Sequence, residues 1–223
     1  MVVAVRWVLT VVVAVAPATW AQAQYSVKSV KADPPADVNA SLRKQVGDNS
    51  VQFLDGKGNV ICQLWFANAV PADATPEQIK NGLTYRELKE TALMGVAKFE
   101  QAWSDYRKQK IKPGVYTLRL AFQPMDGDHM GTSPYPEFTL LVAANKDAKP
   151  GTMESKALVE MSTATMGTSH PGVLMLAPNA KPSPMPQLAK RENNHWVLNT
   201  RAGVAAKGPA VIGVGLTLVG HAD

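Results

Sequence analysis

The chain has 223 residues, 23 Lys and Arg against 18 Asp and Glu, a formal net charge of +5 and a single cysteine. One cysteine excludes an internal disulfide and a C-x-x-C-H haem attachment, so a hydrophobic core must hold the fold together. The basic residues are scattered rather than gathered on a stripe with stacking aromatics, which counts against nucleic-acid binding.

The first residues, MVVAVRWVLTVVVAVAPATWAQAQ, carry one charge at Arg6, an apolar run, the helix breaker Pro17 and small residues at Ala21 and Ala23. That order is the pattern of a secretory signal peptide over residues 1–23, cleaved after Ala23. Its apolar core is too short to span a bilayer, and Cys62 is not at the cleavage point where a lipoprotein needs its cysteine. The expected product is therefore exported to the periplasm or the medium without a stable membrane anchor, and losing Arg6 lowers its formal charge from +5 to +4.

Residues 24–49 are polar, carry Pro34 and Pro35, and read as an N-terminal arm or an edge strand, so one domain is expected over residues 50–223. It opens with SVQFLDGKGNVICQLWF, two apolar and β-branched runs around the turn Asp55-Gly56-Lys57-Gly58, which predicts a hairpin. Alternation places Val60, Cys62, Leu64 and Phe66 on one face, with Ile61, Gln63 and Trp65 on the other. Thr75-Pro76-Glu77-Gln78 combines an N-cap, proline at the first helical position and a capping-box glutamine, and Thr84-Tyr85-Arg86-Glu87 repeats the box. The segment that follows is expected as helix to Glu90 and strand from residue 92 to 99.

IKPGVYTLRLAF is the clearest strand: Tyr116, Leu118, Leu120 and Phe122 alternate with Val115, Thr117, Arg119 and Ala121. A further strand is expected at 137–143. Residues 153–164 suit a short helix burying Leu158, Val159 and Met161. HPGVLMLAP suits a strand, KPSPMPQLAK an irregular connection, and residues 195–200 and 210–219 two closing strands. Many short strands separated by Gly and Pro turns, with one or two short helices, predict a mostly β chain built as an antiparallel β-sandwich.

Chemistry concentrates in the connection QPMDGDHMGTSPYPEF at 123–138. Asp126, Asp128 and His129 offer two carboxylates and an imidazole, with His170 as a fourth ligand. Oxygen ligands suit calcium, and adding imidazole shifts the preference towards zinc, manganese or copper. Seven of the nine methionines and all four histidines also lie in the second half of the chain, a soft-ligand supply that suits copper. The competing reading is turn architecture, in which Asp126 and Asp128 bond nearby backbone N–H groups and no cofactor is present. WSDYRKQ is a second site candidate: Trp103, Tyr106 and Arg107 form either a sugar- or peptide-binding platform or a packed cap on the sheet. Cys62 reads as a buried small hydrophobe. No G-x-S-x-G elbow and no H-E-x-x-H motif is present, so nothing marks the chain as an enzyme.

The stretches KPGVYTLRLAFQPMDGDHMGTSPYPEF and SHPGVLML, at 112–138 and 169–176, resemble a group of exported bacterial proteins of the kind labelled DUF2911, a domain of unknown function. The resemblance implies export and a secreted β-sandwich, and it carries no catalytic or binding residue over to this chain. Two functions follow. One is a non-catalytic binding or accessory module whose partner is an envelope protein or a glycan. The other is a metal-binding protein or metal-dependent enzyme that uses the MDGDHMG loop.

Overall fold

The computed structural model describes residues 24–124 and 133–222. In chain order it forms β1 (Tyr25–Lys31), α1 (Ala40–Arg43), β2 (Val46–Asp55), β3 (Val60–Ala67), β4 (Val70–Pro71), α2 (Pro76–Asn81) and β5 (Leu93–Phe99). There follow β6 (Trp103–Ser104), β7 (Lys110–Ile111), β8 (Gly114–Phe122), β9 (Glu137–Ala143), α3 (Ser155–Met166), β10 (Val173–Ala177), β11 (Gln187–Lys190), β12 (Trp196–Ala205) and β13 (Pro209–Val219). The chain is mostly β and of the sandwich-like class, with three short helices rather than one or two. One large sheet runs β1-β2-β3-β5-β8-β9-β10-β13-β12-β11 with antiparallel neighbours, β4 joins β12 in parallel, and β6 and β7 form a small ribbon.

The sheet curls. Its inner face buries Phe53, Leu64, Phe99, Leu118, Leu120 and Leu216 among others in the main core. Two satellite clusters cover the outer face. Val38, Leu42 and Val46 pack on Trp65, Leu93 and Val96, while α3 and Tyr106 pack on Leu140, Val142 and Val173. Curling brings the two end strands back towards each other, and the Tyr25 ring of β1 meets the Trp196 ring beside β11 with centroids 5.4 Å apart. Among the described residues no hydrogen-bonded ladder joins β1 to β11, so the sheet stays open along a seam.

Several local expectations are realised for visible reasons. The β2–β3 turn is tied by Asp55, whose carboxylate accepts from the backbone N–H groups of Lys57 at 2.8 Å and Asn59 at 2.9 Å. Gly58 there adopts φ +85°, which glycine takes without penalty. Both capping boxes close: Gln78 Oε1 accepts the Thr75 N–H at 2.8 Å, and Glu87 Oε2 accepts that of Thr84 at 2.7 Å. On β8, Tyr116, Leu118 and Leu120 enter the main core while Thr117 and Arg119 turn to the other face, where Asp147 waits.

Other expectations are corrected. The second capping box opens only a three-residue 3-10 turn, Tyr85–Glu87, and no helix reaches Glu90: Leu88 and Ala92 are buried in the core, and Thr91 takes φ +64°. Strand β3 does not alternate cleanly, because a register shift opposite Phe53 and Leu54 lets the consecutive residues Ile61 and Cys62 both enter the core. Helix α3 buries Leu158, Ser162 and Met166, one stripe at four-residue spacing, and leaves Val159 42% exposed. Ser162 hid that stripe from a hydrophobicity reading; its hydroxyl accepts the Gly172 N–H at 3.0 Å. The end of KPSPMPQLAK is not irregular, since Gln187–Lys190 pairs with β12 as β11. Strand β2 begins at Val46, ahead of Ser50, and β1 pairs with it along its whole length as an edge strand.

Candidate functional site

The loop that leads from β5 to β8 is built around Asp105. Its carboxylate is fully buried and accepts four hydrogen bonds: Oδ1 from the N–H groups of Arg107 at 2.9 Å and Gln109 at 2.7 Å, Oδ2 from Gln109 Nε2 at 2.9 Å and from the Val173 N–H at 3.0 Å. Burial pushes this carboxyl above the usual carboxylate range, and the four donors partly offset that push. The result is a rigid turn stitched to β10, with Trp103 on one side of it and Tyr106 on the other.

The end of β13 fastens to the same turn. The Ala222 N–H donates to the Tyr106 carbonyl at 2.9 Å, and His221 Nδ1 donates to the Asp105 carbonyl at 3.2 Å. His195 Nε2 donates to the His221 carbonyl at 3.2 Å, and the His195 ring stands 5.6 Å from that of Tyr106. Gly220 has φ +126°, and a Cβ there would lie 1.9 Å from the His195 ring, so only glycine fits this crossing.

Between this turn and the seam lies an open pocket of about 310 Å³ lined by Tyr25, Trp103, Leu218 and Val219, with Ser104 and His221 as polar lining. Trp103 is half-buried. Its Nε1 donates to the Leu218 carbonyl at 2.8 Å, and its ring meets Tyr25 edge-on at 6.1 Å and Phe53 at 5.9 Å. Trp196 extends the aromatic wall through Tyr25, with Lys190 Nζ 5.8 Å above its ring. A pocket of this size with aromatic walls and a few placed polar groups has the make-up of a small-ligand site.

Of the three residues read from WSDYRKQ, Trp103 lines this pocket, Tyr106 is buried against Phe138 and His195, and Arg107 is exposed beyond the turn. They do not present one shared face. Asp126, Asp128 and His129 lie outside the described residues. His170 is exposed, and its backbone N–H donates to Thr168 Oγ1 at 3.2 Å. Among the described residues no group of three or more His, Cys, Asp or Glu side chains is placed to hold a metal ion. Cys62 is buried in the core, where burial pushes its thiol far above the ordinary range and disfavours the reactive thiolate.

Tyr25, Trp196 and His221 belong to the pocket region but were not legible as site residues. They sit at the start of β1, at the start of β12 and just beyond β13, and only the curl of the sheet gathers them. Comparison with known proteins finds no match: no family model, no curated protein and no solved structure is significantly similar to the chain. The resemblance to secreted β-sandwich proteins thus rests on its sequence stretches alone.

Proposed function

We propose that the protein is an exported, non-catalytic binding module that receives a sugar ring of a glycan in the pocket lined by Tyr25 and Trp103. The observation that carries this reading is the composition of that pocket, half-buried aromatic walls with hydroxyl and imidazole groups among the lining. A pyranose ring has the matching duality. Its axial C–H groups form an apolar, weakly positive face that suits the negative face of an aromatic ring, and its hydroxyls at the periphery seek polar partners.

Binding is favoured over catalysis by what Ser104 and His221 do. The Ser104 hydroxyl donates to the Asp105 carbonyl at 3.3 Å and His221 Nδ1 donates to the same carbonyl, so hydroxyl and imidazole are not arranged as nucleophile and base. Export rests on the N-terminal pattern, and among the described residues no helix is long and apolar enough to cross a membrane.

A glycan microarray probed with the mature chain, followed by titration of tryptophan emission with the oligosaccharides retained, tests the reading. Trp103→Ala should weaken binding by about tenfold or more, equivalent to ~1.4 kcal/mol. Because Trp103 also packs on Phe53, Trp103→Phe serves as the variant that keeps the packing and loses part of the stacking area. An array without hits, or affinities indifferent to both variants, would overturn it.

A further inference from the structure

The same seam carries a second feature at its other end, independent of the aromatic pocket. Where Tyr25 and Trp196 meet, β1 and the β11–β12 pair are in contact. Towards the end of β1 they part, and a cleft of about 630 Å³ opens between Ser29, Val30 and Lys31 on one bank and residues 200–203 of β12 on the other.

The backbone on both banks is unspent. In the β1–β2 ladder the Ala32 N–H donates to the Asp48 carbonyl at 2.7 Å, which in this register makes even-numbered residues of β1 the ones bonded to β2. The N–H and C=O groups of Val27, Ser29 and Lys31 therefore point away from the sheet, towards the seam. On the opposite bank the Arg191 N–H donates to the His195 carbonyl at 2.7 Å and the Ala72 N–H to the Ala205 carbonyl at 3.2 Å, which puts odd-numbered residues of β12 on the outer edge. Strand β11 begins at Gln187, opposite Asn199, and β4 begins opposite Val204, so Arg201 lies in the uncovered interval. Gly203 closes one end, where a Cβ would meet the Asn68 carbonyl oxygen at 1.9 Å.

Two exposed, facing strand edges are a template for an added strand. The chemistry of the cleft says which kind. Its charged lining residues are Lys31 and Arg201, with no acid among the lining; Asp48 reaches Lys31 from β2 at 3.2 Å, which leaves Arg201 as the lining cation without an acid among the described residues. Three large apolar side chains are exposed among the described residues. Of these, Val211 lines the cleft and Met185 sits between the lining prolines Pro184 and Pro186.

We infer that this cleft binds an extended, acidic peptide segment of another protein, which adds a strand to the outer edge of β1, pairs its carboxylates with Arg201 and lays apolar side chains against Met185 and Val211. The added strand would bridge the seam of the sheet.

The probe is a fluorescein-labelled (Val-Glu)4 peptide, followed by fluorescence anisotropy against the mature chain. Saturable binding is expected, with no binding of (Val-Lys)4 and a loss of about tenfold or more in Arg201→Glu and in Ser29→Pro. Proline at position 29 removes an outward N–H and no ladder bond, so the variant should fold as the wild type does by circular dichroism. Amide hydrogen exchange gives a second readout: the Ser29 and Lys31 amides should slow when the peptide is added. The inference is overturned by absent binding, by binding indifferent to Ser29→Pro, or by unfolding of Ser29→Pro, which would mean that the N–H faces β2. Sedimentation showing a dimer that Ser29→Pro dissolves would overturn it too, by giving the edge to a second copy of the chain.

Discussion

Among the described residues Arg119 is the largest side chain that is completely buried, and it lies on a strand whose other face is the main core. Its Nε donates to Asp147 Oδ2 at 2.7 Å and one terminal nitrogen to Oδ1 at 2.9 Å, a two-pronged pair with both side chains fully buried. The remaining guanidinium donors go to the carbonyls of Thr91, Gly151 and Lys149, and Thr117 Oγ1 donates to Asp147 Oδ2 at 2.6 Å. Two separate segments, the one at Thr91 and the loop of residues 147–151, are thus tied to one planar cation on β8. Desolvation makes such a pair a poor net source of stability, whereas removing one partner strands the other charge in a dry site. Asp147→Ala should therefore cost about 3–5 kcal/mol in urea unfolding. Replacing both together, Arg119→Met with Asp147→Leu, should cost clearly less than the single change, because no charge is then left unpaired. A double variant as unstable as Asp147→Ala would show that the stranded charge is not the cause.

At the scale of elements, α3 separates what pattern shows from what only packing decides. Leu158 packs on β9 and β10 while Ser162 bonds Gly172 and Met166 joins the main core, so Leu158→Ala should lose about 2–5 kcal/mol of stability. Val159→Ala should stay within about 0.5 kcal/mol, since that side chain is exposed. Equal losses measured by thermal or urea unfolding would reverse the assignment of the buried face. Sequence placed this helix within two residues and chose Leu158 and the partly buried Met161 rightly but Val159 wrongly, because its buried stripe passes through a serine. Strand β8 was legible in full, as its alternation is strict and its core face apolar. Capping boxes were legible as bonding patterns, but the one at Thr84 could not reveal that the chain turns extended at Leu88, where that side chain enters the core. Strand β11 was hidden by the prolines just ahead of it, Pro182, Pro184 and Pro186. Its pairing with β12 and the second half of β12 itself, RAGVA, depend on partners that a single segment does not carry. The candidate site was legible at one residue, Trp103; Tyr25 and His221 join it through contacts between opposite ends of the chain.

For the molecule as a whole, the N-terminal segment ahead of Ser50 is where sequence and structure weigh most differently. Its polar composition suggests an arm or an edge strand outside the domain; β1 is that edge strand, paired with β2 over seven residues, but Val38, Leu42 and Val46 are also buried on the outer face of the sheet. Trp65 donates its Nε1 to the Ala32 carbonyl at 2.8 Å, so the indole of β3 depends on this segment for both cover and a hydrogen-bond partner. Few apolar residues suffice because they are spaced to cover one patch, which average polarity conceals. A chain starting at Gln24 should unfold in one cooperative transition. One starting at Ser50 uncovers Trp65, Leu93 and Val96 on the outer face, and it strips β2 of its β1 partner. That shorter chain should aggregate or lose its cooperative transition in calorimetry, because exposed apolar surface and an unpaired strand edge both favour association. If it instead unfolds cooperatively with an unchanged midpoint, residues 24–49 are an appendage after all, and the aromatic pocket, which takes Tyr25 from this segment, would be peripheral to the fold.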